Sequence, residues 1–347
     1  MKHVGLDVHQ VNTTVVWIDA ETGELSRARN VPTAAVPEHL LSVGEVLRVV
    51  MESGLHSKFL ARQLTSCGFD VWVLDARKVA ALMPAYKTGK TDPLDARALA
   101  KMSLENAVDK LRVWVADDHT EELRALTRTR EKLVAQTTAL RNEWRAQLAA
   151  HGLRCPANDV LSAKAQRWLA EHFETVPPWG QFCLQRLYES LLALGEQIKL
   201  LDREIERHAA TDPASQIVRS VAGAGPLLSV TVAAELGDVA RFESLGRACS
   251  YAGLTPSIKQ SGERSYTGRL TRRGNPHLRR ALILLAQHFA WQKDLGETSL
   301  KKLYYRTLHK HGPNAAKVAL ARALCRVIVA MLRAEQAFAP TPQPRAA

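Results

Sequence analysis

The sequence lacks any apolar run close to the roughly 18 residues that a membrane-spanning helix needs. Its first residues, MKHVGLDVHQ, also lack the basic segment and apolar core of a secretory signal. Cysteines are few, with five in 347 residues, and no two of them form a C-x-x-C pair. These absences argue against a membrane protein, a disulfide framework and a cysteine zinc site. We expect a cytoplasmic protein without membrane contact, whose cysteines are buried apolar side chains.

Negative charge is scarce in the last part of the chain. Residues 213–347 carry 20 basic and 7 acidic side chains, whereas residues 1–112 carry 14 and 13 and residues 113–212 carry 13 and 15. The net charge of +12 therefore comes from the C-terminal region. Concentrated positive charge is typical of proteins that bind a polyanion, most often nucleic acid, because each neutralised phosphate releases counterions. The alternative is a charged surface that only keeps the protein in solution.

Alternating strands and helices are predicted for residues 1–112. The β-branched runs HVGLDV and TTVVWI predict a hairpin that leads into a third strand, and RVVMES and FDVWVLD predict two more strands. Helices are predicted around 36–48 and before Gly68. The stretch DPLDARALAKM begins another helix, with Asp92 as its N-cap and Pro93 as its first residue. Strands that alternate with helices indicate an α/β domain.

Long helices are predicted for residues 113–212. Leucine and isoleucine recur there at the spacing of a coiled-coil seam. The positions are Leu126, Leu133 and Leu140 in the first helix and Leu187, Leu191, Leu194, Ile198, Leu201 and Ile205 in the second. Two interpretations stay open at this point: an arm that joins protomers, and a helical hairpin packed within its own chain.

Residues 213–335 are predicted to be mainly helical, with a Gly-rich and Arg-rich loop from about Leu254 to Pro276, and residues 336–347 to be a disordered tail. Gly223 and Gly225 stand between two helical runs in a pattern similar to a helix-hairpin-helix motif. The free backbone N–H groups of such a turn can hold a phosphate. The alternative is a tight turn that needs glycine only for its geometry.

Four acidic residues of the N-terminal region are candidate metal ligands. Asp7 lies in the first predicted strand and Glu52 ends a later one, where an acid is unfavourable unless a cation pairs with it. Asp92 and Asp95 are three residues apart, so both carboxylates lie within one helical turn. Converging carboxylates suit Mg²⁺ in phosphoryl transfer. Asp92 and Asp95 could instead only cap their helix, and we assign neighbouring His9 to a cap or a surface role.

Positive charge is densest in residues 251–282, where a single acid accompanies the basic side chains. Arginine forks match phosphate oxygens well. The residues that we expect to contact backbone phosphates are Lys259, Arg264, Arg269, Arg272, Arg273, Arg279 and Arg280. A hydroxyl among them could attack a phosphodiester, and by composition Ser257, Ser261, Ser265 and Thr267 are equivalent. The alternative is a loop that binds nucleic acid without covalent chemistry.

The chain resembles the DEDD transposases of bacterial insertion sequences, described as bridge-RNA-guided serine recombinases. The stretches that carry the resemblance, in the family's order over nearly the whole chain, are GLDVH, ESG, KTGKTDPLDARALA, VAGAGPLLS, RFESLGRACSYAGLTPS, QSGE and RRGNPHLRRAL. The family's K-T-D-x-x-D motif corresponds to Lys90 through Asp95. Its catalytic serine precedes the glycine of an S-G motif, which selects Ser261; Gln260 departs from a second serine that many relatives have.

The resemblance implies an RNase H-like (RuvC-like) domain at 1–112 that holds Mg²⁺ through Asp7, Glu52, Asp92 and Asp95. It implies a coiled-coil arm at 113–212 and a transposase domain at 213–335, where Ser261 forms a covalent link to DNA. The active site would be assembled from two parts between the subunits of a dimer or tetramer. The implied partners are donor DNA, target DNA and a structured guide RNA, so that the protein itself contacts backbones rather than bases.

Two other functions stay open from the residues. One is a metal-dependent nuclease of the Holliday-junction type, in which activated water attacks the phosphodiester. Such an enzyme needs no Ser261 and forms no covalent adduct. The other is a non-catalytic nucleic-acid-binding protein, whose activity would survive the loss of all four acids.

Overall fold

The computed structural model describes residues 1–86, 88–89, 91–261, 264–271, 273–293, 295 and 298–339. The chain divides into two compact units, Met1–Asp117 and Asp118–Ala347. Among the described residues, no helix is both long and apolar enough to cross a membrane. Residues 340–347 of the predicted tail lie outside the described part of the chain.

A five-stranded mixed sheet is the centre of the first unit. Its strands are β1 (Lys2–Val8), β2 (Asn12–Asp19), β3 (Arg29–Pro32), β4 (Val46–Glu52) and β5 (Val71–Leu74). They lie in the order β3-β2-β1-β4-β5. Strands β1, β2 and β3 pair antiparallel, whereas β4 pairs parallel with both β1 and β5. The predicted hairpin and the strands after it are confirmed, and this α/β layer fits the expected RNase H-like fold.

In the described part of the first unit, four α-helices cover the sheet. They are α1 (Val36–Ser42), α2 (Ser57–Ser66), α3 (Ala76–Leu82) and α4 (Asp92–Met102). The first helix is shorter than the predicted 36–48, because Val46 already begins β4. The carboxylate of Asp75 accepts hydrogen bonds from the N–H groups of Arg77 and Lys78, so Asp75 caps the start of α3.

Two separate apolar layers lie on the two faces of the sheet, since successive side chains of a strand point to opposite sides. Val4, Leu6 and Met51 pack on the face covered by α1 and α2. Val50 and Leu74 belong to the other layer, together with buried residues of α3 and α4. The alternation in β1 therefore directs its odd-numbered residues toward α4.

An antiparallel pair of long helices begins the second unit. These are α5 (Asp118–Ala150) and α7 (Pro178–Thr211), with the short helix α6 (Ala163–His172) between them. Arg130 of α5 donates to the two carboxylate oxygens of Asp202 on α7, at 2.9 and 3.3 Å. Trp179 and Phe182 are 80% and 54% exposed near the start of α7. Within one chain these helices therefore form a hairpin, and an arm that joins protomers stays a prediction.

The seam of this helical arm differs in α5 from the predicted one. The buried positions of α5 are Leu123, Arg124, Thr127, Thr120, Thr137, Trp144 and Leu148. Leu126 and Leu140 are only half-buried beside them. Threonines and a tryptophan occupy most of the face of α5 that is buried within the chain, and the coiled-coil seam of leucines stays a prediction. In α7, Leu191 and Ile205 are buried as predicted.

The remainder of the second unit is a helical bundle with one β-hairpin. Its elements are α8 (Pro213–Arg219), α9 (Pro226–Leu236), α10 (Leu245–Tyr251), β6 (Pro256–Ser261), β7 (Arg264–Leu270), α11 (Pro276–Trp291) and α12 (Ser299–Ala334). Leu282, Leu285 and Phe289 of α11 pack with α9, α10 and the second half of α12. At Gly312, which has φ of +81°, and Pro313 the last helix is kinked. The prediction of a loop over 254–276 was wrong, because β6 and β7 pair antiparallel.

The cysteines only partly follow expectation. Cys249 and Cys325 are buried in the core of the C-terminal bundle, as predicted. Cys67 and Cys183 are exposed, so the prediction was wrong for them. Both lie on helices or helix ends that have a solvent-facing side, where a small side chain is tolerated without burial.

Candidate functional site

Strand register brings two of the predicted acids to the same end of the sheet. In the parallel pair of β1 and β4, Gly5 lies opposite Val50 and Leu6 opposite Met51. The next position aligns Asp7 with Glu52 at the carboxyl ends of both strands. Leu6 and Met51 point to the face covered by α1 and α2. Because neighbouring residues of a strand point to opposite faces, Asp7 and Glu52 point to the face covered by α4. Each is only half-buried.

Gly5 lets the backbone of α4 lie directly on β1. A Cβ atom at Gly5 would be 2.0 Å from the carbonyl oxygen of Ala96 and 2.4 Å from the amide nitrogen of Ala100. Ala96 and Ala100 are fully buried and pack with Val16 and Ile18 of β2. Three small residues at one crossing therefore hold the helix against the strand, which brings the start of α4 beside the end of β1.

The start of α4 corrects one expectation. Thr91, rather than Asp92, is the N-cap, and it makes no side-chain capping hydrogen bond. Asp92 is the first helical residue and Pro93 the second, so the register is one residue earlier than predicted. Because the cap position is already occupied, the carboxylate of Asp92 projects from the first turn, where it meets the end of β1. Asp95 follows one turn later and is half-buried.

Asp7, Asp92 and His9 form one cluster. The Nε2 atom of His9 lies 3.3 Å from Oδ2 of Asp7 and 3.6 Å from Oδ2 of Asp92. The donor atoms of the three residues all lie within 4.8 Å of one another. The side chain of Asp7 is 23% exposed, whereas the side chains of Asp92 and His9 are 60% and 56% exposed. Sequence reasoning missed His9, although its position two residues after Asp7 places it on the same side of an extended chain.

The donor set of this cluster fits a divalent cation. Opposed oxygen ligands of an octahedral Mg²⁺ lie about 4 Å apart, given metal–oxygen distances of about 2.0–2.1 Å. A separation within 4.8 Å therefore needs only a small closure around an ion. Carboxylate oxygens suit Mg²⁺ and Mn²⁺, and imidazole nitrogen is a common ligand of divalent transition metals. Glu52 and Asp95 are not part of this cluster of three. Glu52 is the last residue of β4, and Asp95 lies in the first turn of α4.

The predicted nucleophile lies on the β6–β7 hairpin. Ser261 is the last residue of β6 and pairs in register with Arg264, the first residue of β7. Gly262 lies outside the described residues, as does Arg272. Lys259 and Arg269 occupy strand positions in the same hairpin.

Tight backbone packing fixes the base of this hairpin. Gly253 and Gly274 have φ of +68° and +105°, a region that favours glycine. A Cβ atom at Gly253 would lie 2.3 Å from the carbonyl oxygen of Arg273 and from Nη1 of Arg279. Asn275 then caps α11 by accepting from the N–H groups of the two residues after Pro276. The hairpin is thus joined firmly to α10 and α11.

A buried ion pair lies beneath the same region. Glu235 of α9 is 0% exposed, and its two carboxylate oxygens accept from Nε and Nη2 of Arg128, each at 2.7 Å. Asn275 donates to Glu235 at 2.7 Å. Arg124 donates to the carbonyl oxygens of Ala234 and Glu235. Burial raises the pKa of Glu235, but the hydrogen bonds from Arg128 and Asn275 outweigh it and hold the pKa below its ordinary value.

Sequence reasoning missed the Glu235 network. The signal was a single acid in the otherwise apolar run LLSVTVAAEL. An acid in such a run needs a buried cation, and the cations come from α5, more than 100 residues earlier in the chain. The network joins α5, α9 and the start of α11, and so supports the base of the β6–β7 hairpin.

The predicted phosphate-binding arginines that are described have different environments. Arg273 is exposed between β7 and α11. Arg279 is half-buried, and its Nη1 has no hydrogen-bond partner among the described residues. Arg280 is 57% exposed and pairs with Glu131 of α5, which also contacts Nδ1 of His277 at 2.6 Å. Burial raises the pKa of Glu131, and the contacts with His277 and Arg280 more than reverse this effect.

The glycines between α8 and α9 have separable roles. Gly223 has φ of +86°, and a Cβ atom there would lie 2.8 Å from Cβ of His288 on α11. Gly225 is the N-cap of α9 with an ordinary φ of −71° and open space around it. The geometry of the turn thus explains why residue 223 is glycine. At residue 225 neither the backbone conformation nor the surrounding space requires glycine. Phosphate binding at this turn stays a prediction.

Comparison with known families gives two matches along the chain. Residues 4–152 match a DEDD transposase model of the IS110 type. Residues 215–305 match a second model, described as the transposase IS116/IS110/IS902 family. The first match includes the Asp7–His9–Asp92 cluster, and the second includes the β6–β7 hairpin. The two matches occur in the order of the two compact units.

Individual relatives extend over most of the chain. A "Probable family 20 transposase" of Pseudomonas aeruginosa is 27% identical over 344 residues, which cover 98% of this chain and 99% of that protein. The "Transposase for insertion sequence element IS1328" of Yersinia enterocolitica is 26% identical and covers 80% of this chain and 81% of its own length. The "Transposase for insertion sequence element IS1111A" of Coxiella burnetii is 27% identical, covering 97% of this chain and 91% of that protein.

Proposed function

Because this chain belongs to the IS110/IS116 family of bacterial insertion-sequence transposases, we propose that it exchanges DNA strands through a covalent serine–DNA intermediate. It is a DNA transposase, and its DEDD domain indicates a divalent metal cofactor. Beyond the family's transposase activity, we propose Ser261 as the nucleophile, Mg²⁺ as the metal and a structured RNA as the guide. The observation that supports metal-assisted strand cleavage is the cluster of Asp7, His9 and Asp92, whose donor atoms lie within 4.8 Å of one another.

Mg²⁺ is the proposed metal. Asp7 and Asp92 would hold it, with Glu52 and Asp95 at the neighbouring positions of β4 and α4. When bound, the ion would supply positive charge to a phosphodiester and to the oxygen that leaves it. The protein's own part is to keep the carboxylates converged before DNA arrives, through the Gly5 contact and the register of β1 and β4.

Ser261 is the proposed nucleophile. Its Oγ attacks a backbone phosphorus, forms a serine–phosphate ester and releases one strand end as a hydroxyl. A hydroxyl of a second strand then attacks that ester, which restores the serine and joins the new pair of strands. Two transesterifications conserve the number of phosphodiester bonds, so no external energy source is needed. A position at the end of a strand, beside the connection of a β-hairpin, suits a nucleophile that must approach a DNA backbone.

A structured guide RNA is the proposed source of target choice. The C-terminal excess of basic over acidic residues, 20 against 7 in residues 213–347, suits contacts with phosphate backbones. Base pairing between RNA and DNA would then read donor and target sequences, as in other RNA-guided systems. We further propose a cytoplasmic dimer or tetramer, in which residues 1–112 bind the metal, residues 113–212 form the arm and residues 213–335 carry the serine.

Covalent trapping tests this function. The full-length protein is incubated with its flanking-DNA transcript, labelled donor and target DNA and Mg²⁺, then denatured and separated on a gel. We expect a DNA-linked protein band that is absent in Ser261→Ala and present in Ser257→Ala. Ser257 is a matched control because it lies in the same strand β6. Omitting the transcript should abolish the band at the cognate target.

A different result would select one of the alternatives. Cleavage by Ser261→Ala without any adduct would identify water as the attacking group, and the protein would be a metal-dependent nuclease. DNA binding without cleavage in any variant, including the unaltered chain, would identify a nucleic-acid-binding protein. Adduct formation without RNA would support serine chemistry and contradict the proposed guide RNA.

A further inference from the structure

An open groove lies between the base of the β6–β7 hairpin and α12. Its volume is about 410 Å³, which is in the range of sites for small organic molecules. Pro256 and Leu270, the paired residues at the base of the hairpin, line one side of the groove. Residues of α12 line the other side.

The kink of α12 shapes this groove. Leu303 lies before Gly312 and Pro313, whereas Val318 and Ala319 lie after them, and all three side chains line the groove. A straight helix would present only one face along its length. The kink lets residues from both halves of α12 line one concavity, and its walls are mainly apolar.

Two arginines lie at the margin of the groove. Arg322 and Arg326 are four residues apart on α12, so they project from the same face of the helix. Both are exposed. Neither forms an ion pair with any acid among the described residues, and no acidic residue lines the groove. An apolar wall edged by two guanidinium groups is therefore complementary to a ligand with a flat apolar part and a negative charge.

We propose that this groove holds one unstacked nucleotide of a single DNA strand, with its base on the apolar wall and its phosphates on Arg322 and Arg326. A nucleotide combines these two features, since every base has an apolar face and every link carries one charge. Guanidinium groups bind phosphate oxygens in a fork geometry. The inference rests on the proposed strand exchange, and it adds two phosphate-binding residues outside the 251–282 segment.

The distance to the hairpin turn defines which nucleotide this is. Ser261 is five residues after Pro256 in β6, and a strand rises about 3.3 Å per residue, so roughly 17 Å separate them. Stacked nucleotides advance by roughly 3.4 Å each, so the groove would hold a base no more than about five nucleotides from the attacked phosphate. The groove thus holds a flanking nucleotide rather than the reacting one.

Binding of a fluorescent single-stranded oligonucleotide, measured by anisotropy, tests the groove. The measurement uses full-length Ser261→Ala protein, so that covalent chemistry does not contribute. Arg322→Ala with Arg326→Ala should weaken binding about tenfold or more, and the two Lys substitutions should restore only part of it because they lack the fork. The matched control is Arg306→Ala with Lys310→Ala, which removes two exposed cations at the same spacing on α12. An equal loss in the control would mean general attraction to a basic surface and overturn the proposal.

An abasic site tests the apolar wall. In the unaltered groove, replacing one base of the oligonucleotide by an abasic sugar at the best position should weaken binding about tenfold. Ala319→Trp should fill the groove and remove this dependence on the base. If the intact and abasic strands bind alike at every position, no base is held there and the groove proposal fails. A Ser261-dependent adduct in the trapping assay would then still stand, so the two failures are distinguishable.

Discussion

The two acidic centres of the molecule differ in what satisfies their charge. In the first unit, the carboxylates of Asp7 and Asp92 converge with 23% and 60% of their side chains exposed, and His9 lies between them. In the second unit, Glu235 is 0% exposed and receives charged hydrogen bonds from Arg128. The first centre is open and rich in negative charge, whereas the second is closed and neutralised by the protein's own arginines.

This difference separates two uses of a carboxylate. A buried charge whose partners are built into the fold holds elements together, and removing one partner leaves the other charge buried with a large desolvation penalty. Exposed carboxylates that are held together by backbone packing can accept a cation from solution. We expect the open centre of Asp7, His9 and Asp92 to control activity and the closed centre of Glu235 to control stability.

Asp92→Asn should give the largest effect. The substitution removes one proposed metal ligand and keeps the shape of the side chain, so DNA cleavage should fall by about 1,000-fold or more, roughly 4 kcal/mol in the barrier. DNA binding and thermal unfolding should change little, because the side chain is exposed and does not cap α4. Gel assays of cleavage and binding measure this. Asp75→Asn, at the cap of α3, is the control, and unchanged cleavage in Asp92→Asn would remove the metal assignment.

Glu235→Gln should give the opposite pattern. It leaves the buried Arg124 and the half-buried Arg128 without the counter-charge of Glu235, and breaking a buried ion pair destabilises proteins by about 3–5 kcal/mol. Urea unfolding, followed by circular dichroism, should show the lower midpoint. Glu243→Gln is the control, because its pair with Arg247 is exposed and contributes little. A stable Glu235→Gln protein with lost cleavage would mean that the closed centre takes part in the chemistry.

Gly5→Ala connects backbone packing to the open centre. The added Cβ atom would lie 2.0 Å from the Ala96 carbonyl oxygen, so α4 must move, and we expect a loss of about 1–3 kcal/mol in stability. Metal binding should weaken as well, since Asp92 moves with α4. Gly195→Ala in α7, where the Cβ position is open, should be neutral or stabilising. Calorimetric titration with Mn²⁺ measures metal binding, and urea unfolding measures stability. Undiminished metal binding would show that the Gly5 contact does not position the metal ligands.

His9→Ala should have a smaller effect. Loss of one donor out of the cluster should raise the Mn²⁺ dissociation constant by about tenfold or less, which corresponds to roughly 1.4 kcal/mol. Stability should be unaffected because the side chain is more than half exposed. His56→Ala, at the start of α2 and without a side-chain cap bond, is the control. Equal Mn²⁺ affinity in both variants would limit the site to carboxylates.

Acidification should act mainly on the closed centre. The pKa of Glu235 lies below the ordinary 4.5, so its contribution to stability is complete above that value and is lost as the pH falls through the lowered pKa. The unfolding midpoint of the unaltered protein should therefore fall more steeply below pH 4.5 than that of Glu235→Gln. Parallel pH profiles for the two proteins would contradict this coupling.

Local patterns predicted the elements that depend on local forces. The β-branched runs predicted β1 and β2, and Asp-Pro predicted the start of α4 within one residue. The acids Asp7 and Glu52 were recognisable because a charge at the end of an apolar strand has few structural uses. The resemblance to a known family supplied Ser261, which composition alone left equivalent to its neighbours.

Long-range pairing explains what the sequence did not reveal. The cluster of His9 with Asp92 depends on α4 crossing β1, more than 80 residues away in the chain. Glu235 finds Arg128 across a similar separation. The β6–β7 hairpin was read as a loop because glycine and arginine outweigh β-branched residues there, and cross-strand pairing compensates for weak propensity.

The antiparallel pairing of α5 and α7 has a mechanical consequence. Helices of 33 and 34 residues extend about 50 Å from base to tip at 1.5 Å per residue. Such a pair acts as a lever, because a tilt of roughly 10° at its base displaces the tip by about 9 Å. The ion pair of Arg130 with Asp202 stiffens the lever near the base, and Trp179 travels with the tip. A rearrangement that tilted the base beside the Glu235 network would therefore be amplified about 50 Å away, at the tip of the helix pair.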